Sequence, residues 1–369
     1  MEGEEYSLYV HVPFCTRKCD YCHFYVVPDK ESFHALYLES LKREWELRAP
    51  LLHGKKLVSL YFGGGTPSLL SPEELGTILS WIDPPSKTEI TLEANPENLT
   101  REKLKAFRNL SCNRLSIGVQ SFVPSSLQVL SRTHSASRAK QAIYDAAEPG
   151  FDNISIDLMY DLPGQSLANW KESLEIAATL PITHLSLYNL TFEPHTLFYK
   201  KRTALQKTLP SEESSLEMLE LAVEAFSKPP WNRYEISAFA KGGMISNHNI
   251  GYWTGRPFLG LGPSAFSYWE GRRFRNTPNL NRYAKALREG EDPTDFTETL
   301  PPVEQAKELL AVGLRLLNGV QKHTLSTDLN EILSLLVGEE WVESTDDTYR
   351  LTPQGLLFHD TVAELIFRQ

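Results

Sequence analysis

Ser7-Leu8-Tyr9-Val10-His11-Val12-Pro13-Phe14-Cys15-Thr16-Arg17-Lys18-Cys19-Asp20-Tyr21-Cys22 is the stretch that decides the fold. Residues 7–12 read as a short strand, and three thiols follow at its C-terminal end, spaced x3 and then x2. Ligand sites of parallel α/β folds gather at the C-terminal ends of strands. Three thiolates can hold three irons of a cubane and leave the fourth iron open to another ligand. Arg17 and Lys18 would offset part of the negative charge of such a cluster. Spacing alone leaves two alternatives: surface thiols, or a zinc site with His23 recruited as fourth ligand.

Further strands are expected at 57–62, 89–93, 114–119, 153–158 and 184–188, with amphipathic helices at 31–48, 72–81, 101–110, 136–147 and 168–180. Strand, helix, strand repeated in this way is the pattern of parallel βαβ units. Six units fall short of the eight of a closed barrel, so a partial barrel or an open sheet is expected. After Pro194 come a helix at 212–226, a Gly-, Arg- and aromatic-rich segment at 231–276, and a helix at 281–289. The acidic, Pro-containing run 291–302 reads as a linker. Residues 303–369 read as a small helical domain with a polar hairpin near 344–351. The expected division is 1–200, 201–295 and 296–369.

Composition narrows the function. The 369 residues carry 47 acidic against 37 basic side chains, a net charge of −10, which argues against a sequence-independent grip on nucleic acid. No apolar run approaches the roughly 20 residues that span a bilayer. Residues 1–5 lack the charged start and apolar middle of a signal peptide, so a cytoplasmic location is expected. Four cysteines are too few for a disulfide framework in a chain this long. Cys112, set between leucines, reads as a buried and inert thiol.

The later strand ends are polar in a consistent way. Gly63-Gly64-Gly65-Thr66-Pro67 comes after the second strand, where bare backbone can approach a ligand closely. The third strand ends in Glu93-Ala94-Asn95-Pro96-Glu97 and the fourth in Gly118-Val119-Gln120. Arg132-Thr133-His134 lies beyond the fourth, and Asp157 sits on the fifth. Each could be a strand-end cap or a loop ion pair; together they point into one mouth.

These features resemble the radical S-adenosylmethionine (SAM) superfamily, in which SAM binds the open iron and is cleaved by the reduced cluster to methionine and a 5′-deoxyadenosyl radical. The resemblance implies a [4Fe–4S] cluster on Cys15, Cys19 and Cys22. It implies a SAM site at Tyr9, Tyr21, Gly64, Gly65, Thr66, Glu93, Gln120, Arg132 and Asp157. The implied fold is a partial (β/α)6 TIM-like barrel with a small C-terminal, winged-helix-like helical domain.

Within the superfamily the chain is similar to the oxygen-independent coproporphyrinogen III oxidases and their relatives, the HemW-type heme chaperones. The oxidases carry a fourth cysteine two positions after the third, where this chain has Phe24, and an N-terminal extension longer than the eight residues preceding Tyr9. His248-Asn249-Ile250-Gly251-Tyr252-Trp253 matches the H-N-x-x-Y-W motif of the chaperones, whose histidine is implicated in heme binding. From the residues alone, the favoured reading of His248 is a hydrogen-bonded loop histidine beside two core aromatics. A family Gly-x-Gly-Ala-His is altered to Gly262-Pro263-Ser264-Ala265-Phe266. Arg272, Arg273 and Arg275 are either a solvated basic loop or partners for porphyrin carboxylates. The resemblance implies a heme chaperone with heme as cofactor, an acceptor hemoprotein and a reducing electron donor as partners, and SAM cleavage left open. The alternative is oxidative decarboxylation of coproporphyrinogen III to protoporphyrinogen IX.

Overall fold

The computed structural model describes residues 4–368. All six expected strands form, at Glu5–Val12, Lys56–Gly64, Glu89–Ala94, Arg114–Gln120, Asn153–Tyr160 and His184–Asn189, and each pairs parallel with the next. The crossovers are the expected helices Glu31–Arg48, Pro72–Ile82, Arg101–Asn109, Ala136–Ala147 and Leu167–Thr179. Their starts are written locally: Ser71 and Glu74 form a reciprocal capping box with Pro72 in the first turn, and Ser135 and Ser166 cap two others.

Period-two alternation divides each strand between core and interior. In the first strand Leu8, Val10 and Val12 are fully buried in the main hydrophobic core. Ser7, Tyr9 and His11 face the other way and bond or pack with Ser59, Tyr61 and each other. The barrel interior is therefore polar and aromatic, while the layer between sheet and helices is aliphatic.

The sheet is larger than the six units. It runs Thr294–Thr299, Arg272–Asn276, Phe266–Trp269, Phe258–Leu261, then the six parallel strands in order, then Ala238–Lys241 and Trp231–Glu235. Phe258–Leu261 is a seventh parallel strand, alongside Glu5–Val12, and the other additions are antiparallel. Among the described residues no pairing joins the two edge strands, so the barrel is open.

The linker expected at 291–302 is corrected: Thr294–Thr299 is an edge strand paired with Arg272–Asn276. Its acidic residues are cross-strand partners rather than solvated spacer. Arg275 bonds Asp295 at 3.0 Å, and Arg273 bonds Glu298 at 2.8 Å as well as Glu308. Arg273 and Arg275 are thereby committed within the sheet. Beyond it, helices Pro302–Gly313, Asn330–Gly338 and His359–Arg368 enclose a separate core of Leu310, Leu314, Ile332, Leu336, Val362 and Ile366. The expected hairpin is there as Val342–Ser344 and Thr348–Leu351, and Val320–Gln321 makes it a three-stranded sheet.

Candidate functional site

The C-terminal strand ends surround a cleft of about 370 Å³. Cys15, Cys19 and Cys22 lie on its wall in a loop closed at the base by a two-residue ribbon, Phe14–Cys15 against Val27–Pro28. Asp29 N–H donates to the Cys15 carbonyl at 3.2 Å. His34 braces that base, stacking on Phe14 at 3.8 Å and bridging Asp29 (2.8 Å) and Glu74 (2.9 Å).

All four cysteines are free thiols, and Cys112 is buried as expected. Among the described residues no three His, Cys, Asp or Glu side chains are grouped to hold a single metal ion. The three half-buried thiols instead suit a cluster in which each takes a different iron. Burial pushes the Cys15 thiol up to about 11 against the opposing hydrogen bond from Thr66. The donor set, three soft ligands beside an open cleft, fits a [4Fe–4S] cluster with one iron exposed.

The glycine run has a packing reason and a binding consequence. Gly64 has φ +107°, and a Cβ on it would meet the His11 ring at 2.5 Å; one on Gly65 would meet the Phe14 carbonyl at 2.6 Å. The N–H groups of Gly64, Gly65 and Thr66 go to Glu93 (3.2 Å), Val12 (2.8 Å) and Phe14 (2.8 Å). Carbonyl oxygens are therefore what these residues can offer, which suits a cationic amine.

Glu93, Gln120, Arg132 and Asp157 converge on the same cleft. Glu93 accepts from Tyr61 Oη at 2.8 Å, yet burial pushes its carboxyl up to about 7. Burial likewise raises Asp157 to about 6, opposed by the Arg114 charge. Gln120 has φ +66° and its buried Oε1 has no protein partner, leaving an acceptor for a ligand. Tyr21 lines the cleft and packs edge-on to Phe198 at 6.2 Å. Tyr9 lies outside the lining, donating to or accepting from His11 Nδ1 at 3.1 Å and stacking on Tyr61 at 6.2 Å.

Sequence reasoning did not assign Asn95, which bonds both Thr66 (3.0 Å) and Arg132 (2.6 Å). Nor did it assign Tyr188, Asn189, Thr191 and Glu193, which line the cleft from the end of the sixth strand. The strand-end rule that exposed Glu93 and Asp157 applied there too.

His248 lies at the other end of the barrel. The short helix Asn247–Trp253 sits beneath the strands, and Asn247 and His248 N–H both donate to Glu89, the first residue of the third strand, at 3.0 Å. His248 Nδ1 pairs with Ser59 Oγ at 2.9 Å and Nε2 with Tyr252 Oη at 2.8 Å. The ring is 1% exposed, and burial pushes it down to about 3. It has no free nitrogen in this arrangement and would have to give up Ser59 or Tyr252 to reach an iron.

An open parallel barrel with a three-thiol loop, a glycine run and polar strand ends at one mouth defines a radical SAM protein. The sequence pattern of the Radical SAM superfamily matches residues 9–177, within the barrel. The chain belongs to that superfamily and, within it, to the HemW heme chaperone family. It is 34% identical over 371 residues to the heme chaperone HemW of Bacillus subtilis, covering 96% of this chain and 97% of that one. HemW of Haemophilus influenzae is 30% identical, with 98% of each covered. Coproporphyrinogen III oxidase (HemN) from Escherichia coli has the same fold, with a TM-score of 0.85 at 22% identity over 99% of this chain and 90% of that one. No helix among the described residues is long and apolar enough to cross a membrane.

Proposed function

We propose that this protein is a heme chaperone of the cytoplasm that binds heme and passes it to an acceptor hemoprotein, using a cluster on Cys15, Cys19 and Cys22 and SAM on the strand ends. A [4Fe–4S] cluster held there by Cys15, Cys19 and Cys22 would supply one-electron chemistry towards SAM once reduced by an external donor. The protein's own groups do the holding. Glu93 and Asp157 suit hydroxyls or a neutral donor network, the glycine-run carbonyls an amine, and Arg132 a carboxylate. We propose the three-part division as well, with the second part extended through the edge strand Thr294–Thr299.

The observation that carries the heme reading is Phe24. It stands where the oxidases have a further cysteine, lines the cleft mouth and is 50% exposed. Its ring lies 4.5 Å from the His23 ring, and Lys18 Nζ donates to its carbonyl at 2.9 Å. An open aromatic face beside Arg17 and Lys18 suits a flat apolar ring bearing carboxylates. The HemW names of full-length relatives support the same reading.

The test is hemin titration of the anaerobic, cluster-loaded protein, followed by mixing with an apo-hemoprotein. Stoichiometric uptake and transfer are expected. In parallel, coproporphyrinogen III, SAM and reductant are supplied; turnover to protoporphyrinogen IX would replace the chaperone reading with the oxidase.

A further inference from the structure

We infer that Asn95 is a positioning residue that fixes hydrogen-bond donors on two of the cluster's thiolates and so sets the cluster's reduction potential; this rests on the cluster being held by Cys15, Cys19 and Cys22. A continuous chain runs between the two sulfurs. Arg132 Nη1 lies 3.6 Å from Cys19 Sγ, and its Nη2 bonds Asn95 Oδ1 at 2.6 Å and the Gly118 carbonyl at 2.7 Å. Asn95 Nδ2 bonds Thr66 Oγ1 at 3.0 Å, and Thr66 Oγ1 lies 3.3 Å from Cys15 Sγ.

The chemistry of the groups dictates the direction of every bond. Guanidinium only donates, so the amide oxygen of Asn95 must face Arg132 and its NH2 must face Thr66. Thr66 then accepts from Asn95, and its single O–H is left for Cys15. An iron-bound thiolate is an acceptor, so both ends of the chain finish as donor on sulfur. Arg132 cannot turn away easily, because the Gly118 carbonyl holds the same Nη2. Donors to cluster sulfurs and a nearby cation stabilise the added electron of the reduced state, raising its potential. Asn95 touches neither sulfur, yet it orients both donors.

Asn95→Asp tests this at nearly constant shape. A carboxylate keeps Arg132 paired but only accepts, so Thr66 must donate to it, and Cys15 loses its donor while a negative charge arrives. The measurement is a mediator-dye titration of the cluster without SAM, read by EPR, on protein whose iron and sulfide content has been assayed. At a fixed potential we expect at least a tenfold fall in the reduced-to-oxidised ratio, about 59 mV more negative for one electron. Thr66→Val should shift the potential the same way, and the double variant should fall short of the sum, because Asn95→Asp acts partly through Thr66. Should Asn95→Asp fail to load its cluster, Asn95→Ala, which removes both bonds without adding a charge, is measured in its place and should shift the potential the same way. A loaded variant with the wild-type potential overturns the inference. Absence of a cluster from the wild type would instead overturn the cluster reading beneath it.

Discussion

Replacing His248 with glutamine should remove a destabilising contribution that the wild type gains between pH 7 and pH 5. In the folded chain the imidazole is sealed between Ser59 and Tyr252, and burial pushes it from 6.5 down to about 3, with the Arg256 and Arg114 charges adding to the effect. A folded pKa below the unfolded one means the unfolded chain takes up the proton first. Stability from the neutral ring is thus complete above 6.5 and is lost as the pH falls towards 3. At pH 5 the unfolded histidine has bound its proton over about 1.5 pH units that the folded one has not, worth roughly 2 kcal/mol. Glu93 and Asp157 have the opposite sign. Their folded carboxyls, raised to about 7 and about 6, add stability at low pH that is lost as the pH rises through those values. His11, lowered to about 4 by burial, adds to the His248 trend. These contributions are present in both proteins and cancel in the comparison as long as Tyr61, which lies between the His248 ring and Glu93, keeps its place. Urea unfolding of wild type and His248→Gln at the two pH values reads the difference. The variant should start weaker at pH 7, because Ser59 and Tyr252 lose a fitted partner. It should then lose about 2 kcal/mol less on acidification. Equal losses in the two proteins would refute the sealed, neutral histidine.

Two further substitutions test how the cleft is held. Glu44 is fully buried and accepts from Gly262 N–H (2.7 Å), Asn276 Nδ2 (2.6 Å) and Tyr283 Oη (2.6 Å), tying the first helix to the ends of strands Phe258–Leu261 and Arg272–Asn276 and to the helix Leu280–Arg288. Glu44→Ala strands three buried donors at about 1–3 kcal/mol each; a loss of at least roughly 3 kcal/mol in urea unfolding is expected, and less for Glu44→Gln. Gly65→Ala places a Cβ 2.6 Å from the Phe14 carbonyl, and backbone there cannot yield without moving the cysteine loop. Its cluster absorbance should bleach in air several times faster than that of the wild type, with weaker SAM binding by equilibrium dialysis.

The six βα units were legible because each buried parallel strand is a short apolar run followed by a helical pattern, and four of the five crossover helices carry a local cap, at Ser71, Thr100, Ser135 and Ser166. The cleft was legible because its chemistry is concentrated at strand ends. The four-residue strand Phe258–Leu261 escaped notice because Gly260 marks a close approach instead: a Cβ there would meet the Phe266 carbonyl at 2.1 Å. Thr294–Thr299 escaped because acidic residues read as solvated until Arg273 and Arg275 are seen opposite them. Asn95 escaped because its importance lies in joining Thr66 to Arg132, residues brought together only by the parallel register.

His248 shows how far a motif reaches. H-N-x-x-Y-W puts Tyr252 one turn along the same helix, where it does meet the ring. Nothing local reveals Ser59 and Glu89, which close the other sides. The resulting contacts connect the two ends of the barrel. The His248 ring lies 4.8 Å from Tyr61, Tyr61 donates to Glu93, and Glu93 holds the Gly64 N–H at the cleft. A substitution at His248 that shifts Tyr61 therefore perturbs the floor of the cleft as well. Weaker heme binding in a His248 variant would not by itself make this histidine the iron ligand. Only a changed axial signature in the heme spectrum, with SAM affinity and cluster potential held at their wild-type values, would separate ligation from a disturbance passed along the barrel interior.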